Sequence, residues 1–121
     1  MGLLDIFKKE KSIWDQYYTK AEKDLKITHK TVYEYLKSCV KDDEKKLTSL
    51  NYFGKKYTYG DLFRKVEQVS KALLFYGVRS GDVVTILMPN TPEAVFTFYA
   101  INNIGAIANM VHPLAAKEEI K

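Results

Sequence analysis

One segment, residues 77–113, constrains most strongly what this chain can fold into. Its apolar runs are separated at regular intervals by Pro, Asn and Gly, and Glu93 is the only formal charge between residues 83 and 115. Strands covered on both faces, and the helices packed between them, have this composition because neither face contacts water. The segment therefore predicts the interior of an α/β domain.

Local signals divide this segment into elements. We expect them in this order: a central parallel strand at 83–88, a helix at 92–103, a strand at 106–111, and a helix that starts at 115–121. Thr91 is placed to cap the first of these helices, and Pro92 falls in its first turn, where a missing N–H costs nothing. Gly105 closes this helix. Because the helix at 92–103 is apolar almost all round, we expect this helix to be buried on more than one side.

The preceding segment predicts two helices and a hairpin. In chain order these are a helix at 31–40, a hairpin at 47–59 with a tight turn at Gly54-Lys55, and a helix at 60–76 that ends at Gly77. Thr31 and Thr58 each precede an acid by three residues, which is the capping-box pattern. The apolar stripe of the first helix comprises Val32, Leu36 and Cys39 or Val40, and that of the second comprises Leu62, Val66, Val69, Leu73 and Tyr76.

Composition narrows the class of protein. A chain of 121 residues has room for one domain, and its 46% hydrophobic content is ordinary for a folded protein. The net charge of +4 comes from 19 basic and 15 acidic residues that are interspersed, which favours a solvated surface over a nucleic-acid face. No apolar run approaches the roughly 20 residues that span a bilayer. With no secretory signal at the start and a single cysteine, we expect a cytoplasmic protein without disulfides.

The chain divides at about residue 30. Residues 1–30 predict a helical arm in which Leu3, Leu4, Ile6 and Phe7 precede a charged run and then Ile13, Trp14, Tyr17 and Tyr18. This arm is interpreted either as a peripheral membrane helix or as a segment that packs on its own or a partner domain. Residues 31–121 predict one α/β unit with an unfinished sheet, because two parallel strands do not complete a parallel sheet.

Several residues are candidates for a functional role. His112 lies at the carboxyl end of a predicted strand, where ligand crevices form in α/β folds, so it lines a pocket or serves as a polar turn residue. His29 has no metal-spaced partner, and Cys39 is expected in the core rather than as a nucleophile. Gly54-Lys55-Lys56 indicates a hairpin turn, and Gly77 to Gly81-Asp82 lacks the Lys-Ser/Thr of a phosphate loop. We predict no catalytic, cofactor-binding or metal-binding residue.

Three patches in order resemble the N-terminal region of the AMP-forming acyl-CoA synthetases and related adenylate-forming enzymes. Residues 57–62 resemble the family's Thr-Tyr-x-Glu-Leu element, with Asp61 in place of Glu. Residues 74–93 are similar to its Gly-Val-x-x-Gly-Asp-x-Val and Pro-Asn-x-Pro-Glu stretch. Residues 100–113 resemble its Leu-Lys-x-Gly-Ala and Asn-Pro strand, with Asn103 at the Lys and His112 at the Asn.

The resemblance implies a ligase that forms an acyl-adenylate and pyrophosphate from a small carboxylic acid and Mg-ATP, then passes the acyl group to CoA or a carrier thiol. The family's phosphate loop, Thr-Glu pair, ribose-binding Asp and mobile Lys do not occur in this sequence. We therefore expect an N-terminal fragment of such a ligase, inactive alone, that pairs with the remainder of the ligase. The alternative is a non-catalytic α/β module that self-associates through its open sheet.

Overall fold

The computed structural model describes residues 13–115. The predicted arm residues Leu3, Leu4, Ile6 and Phe7, and residues 116–121 of the predicted last helix, lie outside this range. The helices and strands are, in chain order, α1 (Lys20–Lys23), α2 (Val32–Cys39), β1 (Thr48–Tyr52), β2 (Lys55–Thr58), α3 (Tyr59–Phe75), β3 (Val83–Ile86), α4 (Pro92–Asn103) and β4 (Ile107–Met110). Short 3-10 turns occupy Ile13–Gln16 and Asp42–Glu44.

The predicted hairpin is confirmed. Strands β1 and β2 pair antiparallel, with Tyr52 opposite Lys55. The turn itself is Phe53-Gly54, one residue earlier than the sequence suggested, because Lys55 is already the first residue of β2. Both turn residues have positive φ, 47° for Phe53 and 87° for Gly54. A two-residue turn of this hand matches the right-handed twist of the two strands.

Helix α2 begins as predicted, and Leu36 and Val40 of its predicted stripe pack against the core together with Tyr33. The Thr31 hydroxyl accepts a hydrogen bond from the Glu34 backbone N–H, and the Glu34 carboxylate accepts one from the Thr31 N–H. The residue buried from this helix is Tyr33, while Val32 is exposed. The prediction that Cys39 lies in the core is wrong, because the buried stripe is rotated onto Tyr33 and Cys39 faces solvent.

Helix α3 carries the predicted capping box and most of the predicted apolar face. The Thr58 hydroxyl accepts from the Asp61 N–H at 3.1 Å, and the Asp61 carboxylate accepts from the Thr58 N–H at 3.1 Å. Leu62 and Val66 are buried. Tyr76 is exposed, contrary to the predicted stripe, because it lies beyond the last helical residue and leads into the turn at Gly77, whose φ is 94°.

The strands β3 and β4 pair parallel, with Val83 opposite Ile107 and Ile86 opposite Met110. Helix α4 covers one face of this pair, where Ile86 is buried. On the other face the side chains of Val83 and Ile107 are 64% and 55% exposed. The expectation that β3 is covered on both faces is therefore not met among residues 13–115, because no described element lies against that second face.

Helix α4 joins two hydrophobic clusters, as its all-round apolar sequence predicts. Phe96 and Ala100 belong to a cluster with residues of α2 and α3, namely Tyr33, Leu62, Phe63 and Val66. Ile101 belongs to a second cluster with Ile86 and Ala106 from the parallel strands. The prediction that this helix is buried on more than one side is confirmed. Among the described residues, no helix is long and apolar enough to cross a membrane.

Candidate functional site

The parallel pair places two loops at one edge of the sheet, as the sequence predicts for the neighbourhood of His112. Because β3 and β4 run in the same direction, the loop after Ile86 and the loop after Met110 leave the sheet side by side. An open cleft of about 380 Å³ lies between these loops. Its lining consists of Met88, Pro89, Asn90, His112, Pro113 and Leu114. We call it the strand-end cleft.

Backbone hydrogen bonds and one cap fix the walls of the strand-end cleft. The Val111 N–H donates to the Ile86 carbonyl at 3.0 Å, which extends the ladder one residue past the end of β4. On the opposite wall the Thr91 N–H donates to the Pro89 carbonyl at 2.8 Å. The Thr91 hydroxyl then accepts from the Ala94 N–H at 3.4 Å, so α4 begins directly at the cleft. Strand ends and a capped helix therefore hold this cleft.

His112 acts within its own turn and also lines the cleft. Its Nδ1 accepts a hydrogen bond from the Leu114 N–H at 3.1 Å, and its carbonyl accepts from the Ala115 N–H at 2.9 Å. A neutral imidazole whose Nδ1 accepts carries its proton on Nε2. Both predicted roles, turn residue and pocket lining, therefore apply to the same side chain, which offers Nε2–H as its remaining donor.

The lining of the strand-end cleft offers hydrogen-bonding groups and apolar surface, but no positive charge. The lining offers the His112 imidazole and the Asn90 amide for hydrogen bonding, beside apolar Met, Pro and Leu surface. Between residues 83 and 115 the only formal charge is Glu93, an acid near the start of α4. A transition state that gains negative charge needs a cation or preorganised donors where that charge develops, and this lining contains no Lys or Arg.

The other candidates from the sequence lie away from this cleft. His29 is exposed, and Cys39 is exposed at the end of α2. Lys55 and Lys56 are strand residues of the hairpin. The segment that begins at Gly77 is a turn in which the Asp82 carboxylate accepts from the Arg79 N–H at 2.7 Å. The structure thus brings none of these residues together with His112.

Glycines of the resembling patches have a structural explanation. The Gly81 N–H donates to the Gly105 carbonyl at 2.9 Å, which joins the turn before β3 to the turn before β4. Gly105 has a φ of 76°, and a Cβ built on it would lie 2.7 Å from the Ser80 Oγ. Glycine adopts this backbone without strain, and a larger residue would also require the Ser80 side chain to move. These two glycines therefore connect the turns that lead into β3 and β4.

Sequence reasoning missed a set of polar contacts between helices. The Asn102 Oδ1 accepts from the Tyr33 N–H at 2.8 Å and so fixes the start of α2 on α4. The Asn103 amide donates to the Ser70 Oγ at 3.1 Å, and that hydroxyl donates to the Ala100 carbonyl at 3.4 Å. Two adjacent Asn residues at the end of an apolar helix were the available signal, since Asn there competes with the helix for hydrogen bonds.

A second cleft and one unpartnered hydroxyl lie among these helices. The cleft has a volume of about 420 Å³ and is lined by Glu67, Ser70, Lys71, Leu74, Asn103 and Ile104. The Tyr33 hydroxyl is buried and finds no hydrogen-bond partner among the described residues. Burial raises the pKa of this hydroxyl above its ordinary value of 10.0, and the charge of Glu67 adds to the increase. A neutral phenol buried without a partner indicates a packing role.

The residues present do not fit the triphosphate or the magnesium ion of an ATP-dependent ligase. Phosphates are held by successive backbone N–H groups with Ser, Thr or Lys side chains, and Mg²⁺ by carboxylates and phosphate oxygens. The sequence contains no Ser/Thr/Gly-rich phosphate loop. Residues 13–115 contain no group of three or more His, Cys, Asp and Glu side chains that could hold a metal ion. No step of such a reaction is therefore assigned to these residues.

Comparisons with known proteins agree on one family. A family profile described as "AMP-binding enzyme" matches residues 37–121. The chain is 37% identical over 67 residues to 4-coumarate–CoA ligase 3 of Arabidopsis thaliana, covering 55% of this chain and 12% of that protein. It is 47% identical over 58 residues to an acetyl-coenzyme A synthetase of Penicillium chrysogenum, covering 48% of this chain and 9% of that protein. The chain thus spans a small part of the length of these relatives.

Solved structures give the same assignment at the level of fold. The anthranilate CoA ligase AuaEII, solved in complex with anthranoyl-AMP, superimposes with a TM-score of 0.71 at 26% identity. That match covers 81% of this chain and 19% of AuaEII. The N-terminal subdomain of Klebsiella oxytoca NpsA superimposes with a TM-score of 0.70 at 22% identity, covering 75% of this chain and 23% of that one. At 22% identity, the match to NpsA supports a similar fold and nothing more.

Proposed function

Because this chain belongs to the family of AMP-binding enzymes, we propose that it supplies the first α/β elements of an AMP-forming acyl-CoA ligase. The proposed ligase joins a small carboxylic acid to ATP, which yields an acyl-adenylate and pyrophosphate. The CoA thiolate, or the thiol of a carrier, then displaces AMP. We propose residues 1–30 as a helical arm and residues 31–121 as part of the N-terminal domain, in the cytoplasm.

One observation carries this proposal beyond family kinship: the sheet formed by β3 and β4 is open. Its two strands each keep an unpaired edge among residues 13–115, and one face exposes Val83 and Ile107. Apolar strands of a parallel sheet normally lie between two layers of helices. We infer that further strands and helices of the ligase pair with these edges and cover this face.

The proposed division of labour follows from the chemistry of the strand-end cleft. His112 and Asn90 offer hydrogen-bonding groups, and the cleft contains no cation. Adenylation requires groups that hold the phosphates of ATP, a metal-binding acid and a positive side chain near the transferred phosphoryl group. ATP, Mg²⁺ and CoA are therefore proposed as ligands of the ligase as a whole, and we assign no catalytic residue to this chain.

The first test is ATP–pyrophosphate exchange by the purified 121-residue chain with a panel of carboxylic acids. We expect no exchange above a protein-free blank, because the chain lacks a phosphate loop. Exchange that depends on a carboxylate would overturn the proposal that residues outside this chain carry out catalysis.

The second test is the coding sequence downstream of Lys121, in which a Ser/Thr/Gly-rich phosphate loop is expected. Its absence would remove the ligase proposal.

A second candidate function rests on the same exposed sheet face. A non-catalytic α/β module would cover Val83 and Ile107 with a second copy of itself, since exposed apolar patches promote association. Sedimentation velocity over a range of concentrations distinguishes the two. A concentration-dependent dimer that Ile107→Lys abolishes supports the module. A species that stays monomeric at high concentration rules it out and leaves the ligase proposal unaffected.

A further inference from the structure

The turn of the β1–β2 hairpin exposes an aromatic ring on a backbone that phenylalanine rarely adopts. Phe53 has a φ of 47°, in the left-handed region, and its side chain is 92% exposed. Glycine, Asn or Asp would occupy this position at lower conformational cost. The exposed ring also contributes nothing to either hydrophobic cluster. The folded chain alone therefore gives no reason for an aromatic residue here.

A second ring extends this apolar point. The rings of Tyr52 and Phe53 pack edge to face, with centroids 4.7 Å apart and an interplanar angle of 81°. Tyr52 is itself exposed, so the two rings project together from the end of the hairpin. Lys55 and Lys56 follow after Gly54 and are both exposed. We define these four residues, Tyr52, Phe53, Lys55 and Lys56, as the hairpin tip.

The hairpin tip is basic. The hairpin from Thr48 to Thr58 contains no Asp or Glu. The acidic turn Asp42–Glu44 is at the opposite end, where the Lys45 carbonyl accepts from the Gly60 N–H beside the start of α3. One acid, Glu93, lines a cleft of about 300 Å³ together with Lys55 and Lys65. The charge of the hairpin tip therefore comes from two lysines, Lys56 and Lys55, and the Lys55 ammonium lies 5.2 Å from the centroid of the Tyr57 ring.

We propose that the hairpin tip inserts its aromatic rings into the surface of an anionic lipid bilayer. Aromatic rings favour the headgroup region of a membrane, and lysines bury their apolar stems there while their ammonium groups stay at the lipid phosphates. Attraction between lysines and anionic lipids adds to the burial of the rings. A nucleic acid fits less well, because phosphate-backbone binding needs a longer row of basic side chains than the two lysines here.

This proposal concerns a surface and goes beyond the ligase chemistry. It is also separate from the predicted arm, whose residues 1–12 lie outside the described structure. Association through that arm would not depend on Phe53, whereas association through the hairpin tip would. Variants of Phe53 therefore distinguish the two.

The test is co-sedimentation of the full 121-residue chain with phosphatidylcholine vesicles that contain about 30% phosphatidylserine. We expect Phe53→Asn to weaken binding about tenfold, since a buried ring is lost. Each of Lys55→Gln and Lys56→Gln should weaken it about fivefold. Vesicles of pure phosphatidylcholine should bind much less, and added salt should weaken binding to the anionic vesicles.

A matched control is available at the end of α3. Phe75 is 86% exposed and packs edge to face on Tyr76, also at 81°. Its helical backbone is unstrained, and no pair of lysines follows it. Phe75→Asn should therefore leave vesicle binding unchanged. Phe53→Asn should keep or raise the thermal midpoint, because Asn tolerates the left-handed conformation, so that lost binding cannot be attributed to unfolding.

A position-specific readout completes the test. Trp14 is the only tryptophan, so the double variant Trp14→Phe and Phe53→Trp carries a single indole at the hairpin tip. Its emission should shift to shorter wavelength with anionic vesicles. The proposal is overturned if Phe53→Asn binds as the parent chain does, if the indole does not respond, if neutral vesicles bind equally, or if a single-stranded oligonucleotide binds through Phe53 and vesicles do not.

Discussion

At the scale of single residues, Gly105 shows how two turns set the register of the parallel strands. Its carbonyl accepts from the Gly81 N–H, and its missing Cβ leaves room for the Ser80 hydroxyl. Two separate physical requirements, a φ of 76° and a close approach, therefore coincide at this position. The sequence predicted a helix end here, but it could not predict the contact, because Ser80 is distant in the chain.

Gly105→Ala should lower the free energy of unfolding by about 3 kcal/mol, through the left-handed backbone and the crowded Ser80 side chain together. Gly77→Ala is the matched control, because Gly77 has a φ of 94° with nothing within 4 Å of a built Cβ. It should cost only about 1 kcal/mol. Urea unfolding measures both. Equal losses in the two variants would mean that the contact with Ser80 does not matter.

Tyr33 offers the opposite case, a substitution expected to stabilise the fold. Its ring is packed against Phe63 and Tyr99, but its buried hydroxyl finds no partner among the described residues. Tyr33→Phe keeps the ring and removes the cost of an unsatisfied polar group, so the free energy of unfolding should rise by about 1 kcal/mol. Tyr99→Phe, at a half-buried ring, should change it by less than about 0.5 kcal/mol.

The pH dependence of Tyr33 provides a second measurement. Burial raises the pKa of its hydroxyl above 10.0 in the folded chain, so the folded form holds this proton longer than the unfolded form. The corresponding stability is complete below pH 10 and is lost as the pH rises through the folded pKa. Tyr33→Phe should therefore lose less stability at alkaline pH than the parent chain. Identical alkaline titrations of stability would contradict a buried hydroxyl.

At the scale of elements, capping predicts where helices start better than apolar periodicity predicts which face they bury. The boxes at Thr31 and Thr58 formed as expected, because they depend on residues three apart. The predicted stripe of α2 is only partly correct: Leu36 and Val40 pack against the core, whereas Val32 and Cys39 do not, since several registers fit a helical period equally well. Contact with α4 selected Tyr33, whose N–H is held by Asn102. That choice is tertiary and leaves no local signal.

Thr58→Ala should lower the stability of the fold by about 1 kcal/mol, or several degrees in thermal midpoint, because α3 loses its cap. Thr19→Ala removes the same capping box from α1. Since α1 has four residues and none of them is buried, its loss should leave the midpoint unchanged. Thermal denaturation followed by circular dichroism compares the two. A midpoint that falls equally for Thr19→Ala would place α1 in the cooperative fold.

At the scale of the whole molecule, the α/β class and the order of elements from α2 to β4 followed from the sequence, because each depends on local patterns. The unfinished sheet followed as well, since two parallel strands do not complete one, but the expected cover on both faces of β3 is not found among residues 13–115. A buried β-branched run indicates that two layers cover the strand. It does not indicate which segment of the protein forms the second layer. The strand-end cleft was anticipated at His112, whereas the hairpin tip was not, because an aromatic residue before Gly54 reads as an ordinary strand residue.

The two-sided burial of α4 has a consequence for how this fold opens. Phe96 and Ala100 close one hydrophobic cluster and Ile101 closes the other, so neither cluster can come apart without exposing this helix. Its central amide protons should therefore exchange with solvent deuterium only when the whole fold opens, whereas those of α1 should exchange within the dead time. Native-state hydrogen exchange should therefore identify α4 as the slowest-exchanging segment. The two hydrophobic clusters that it joins would then unfold in a single cooperative step.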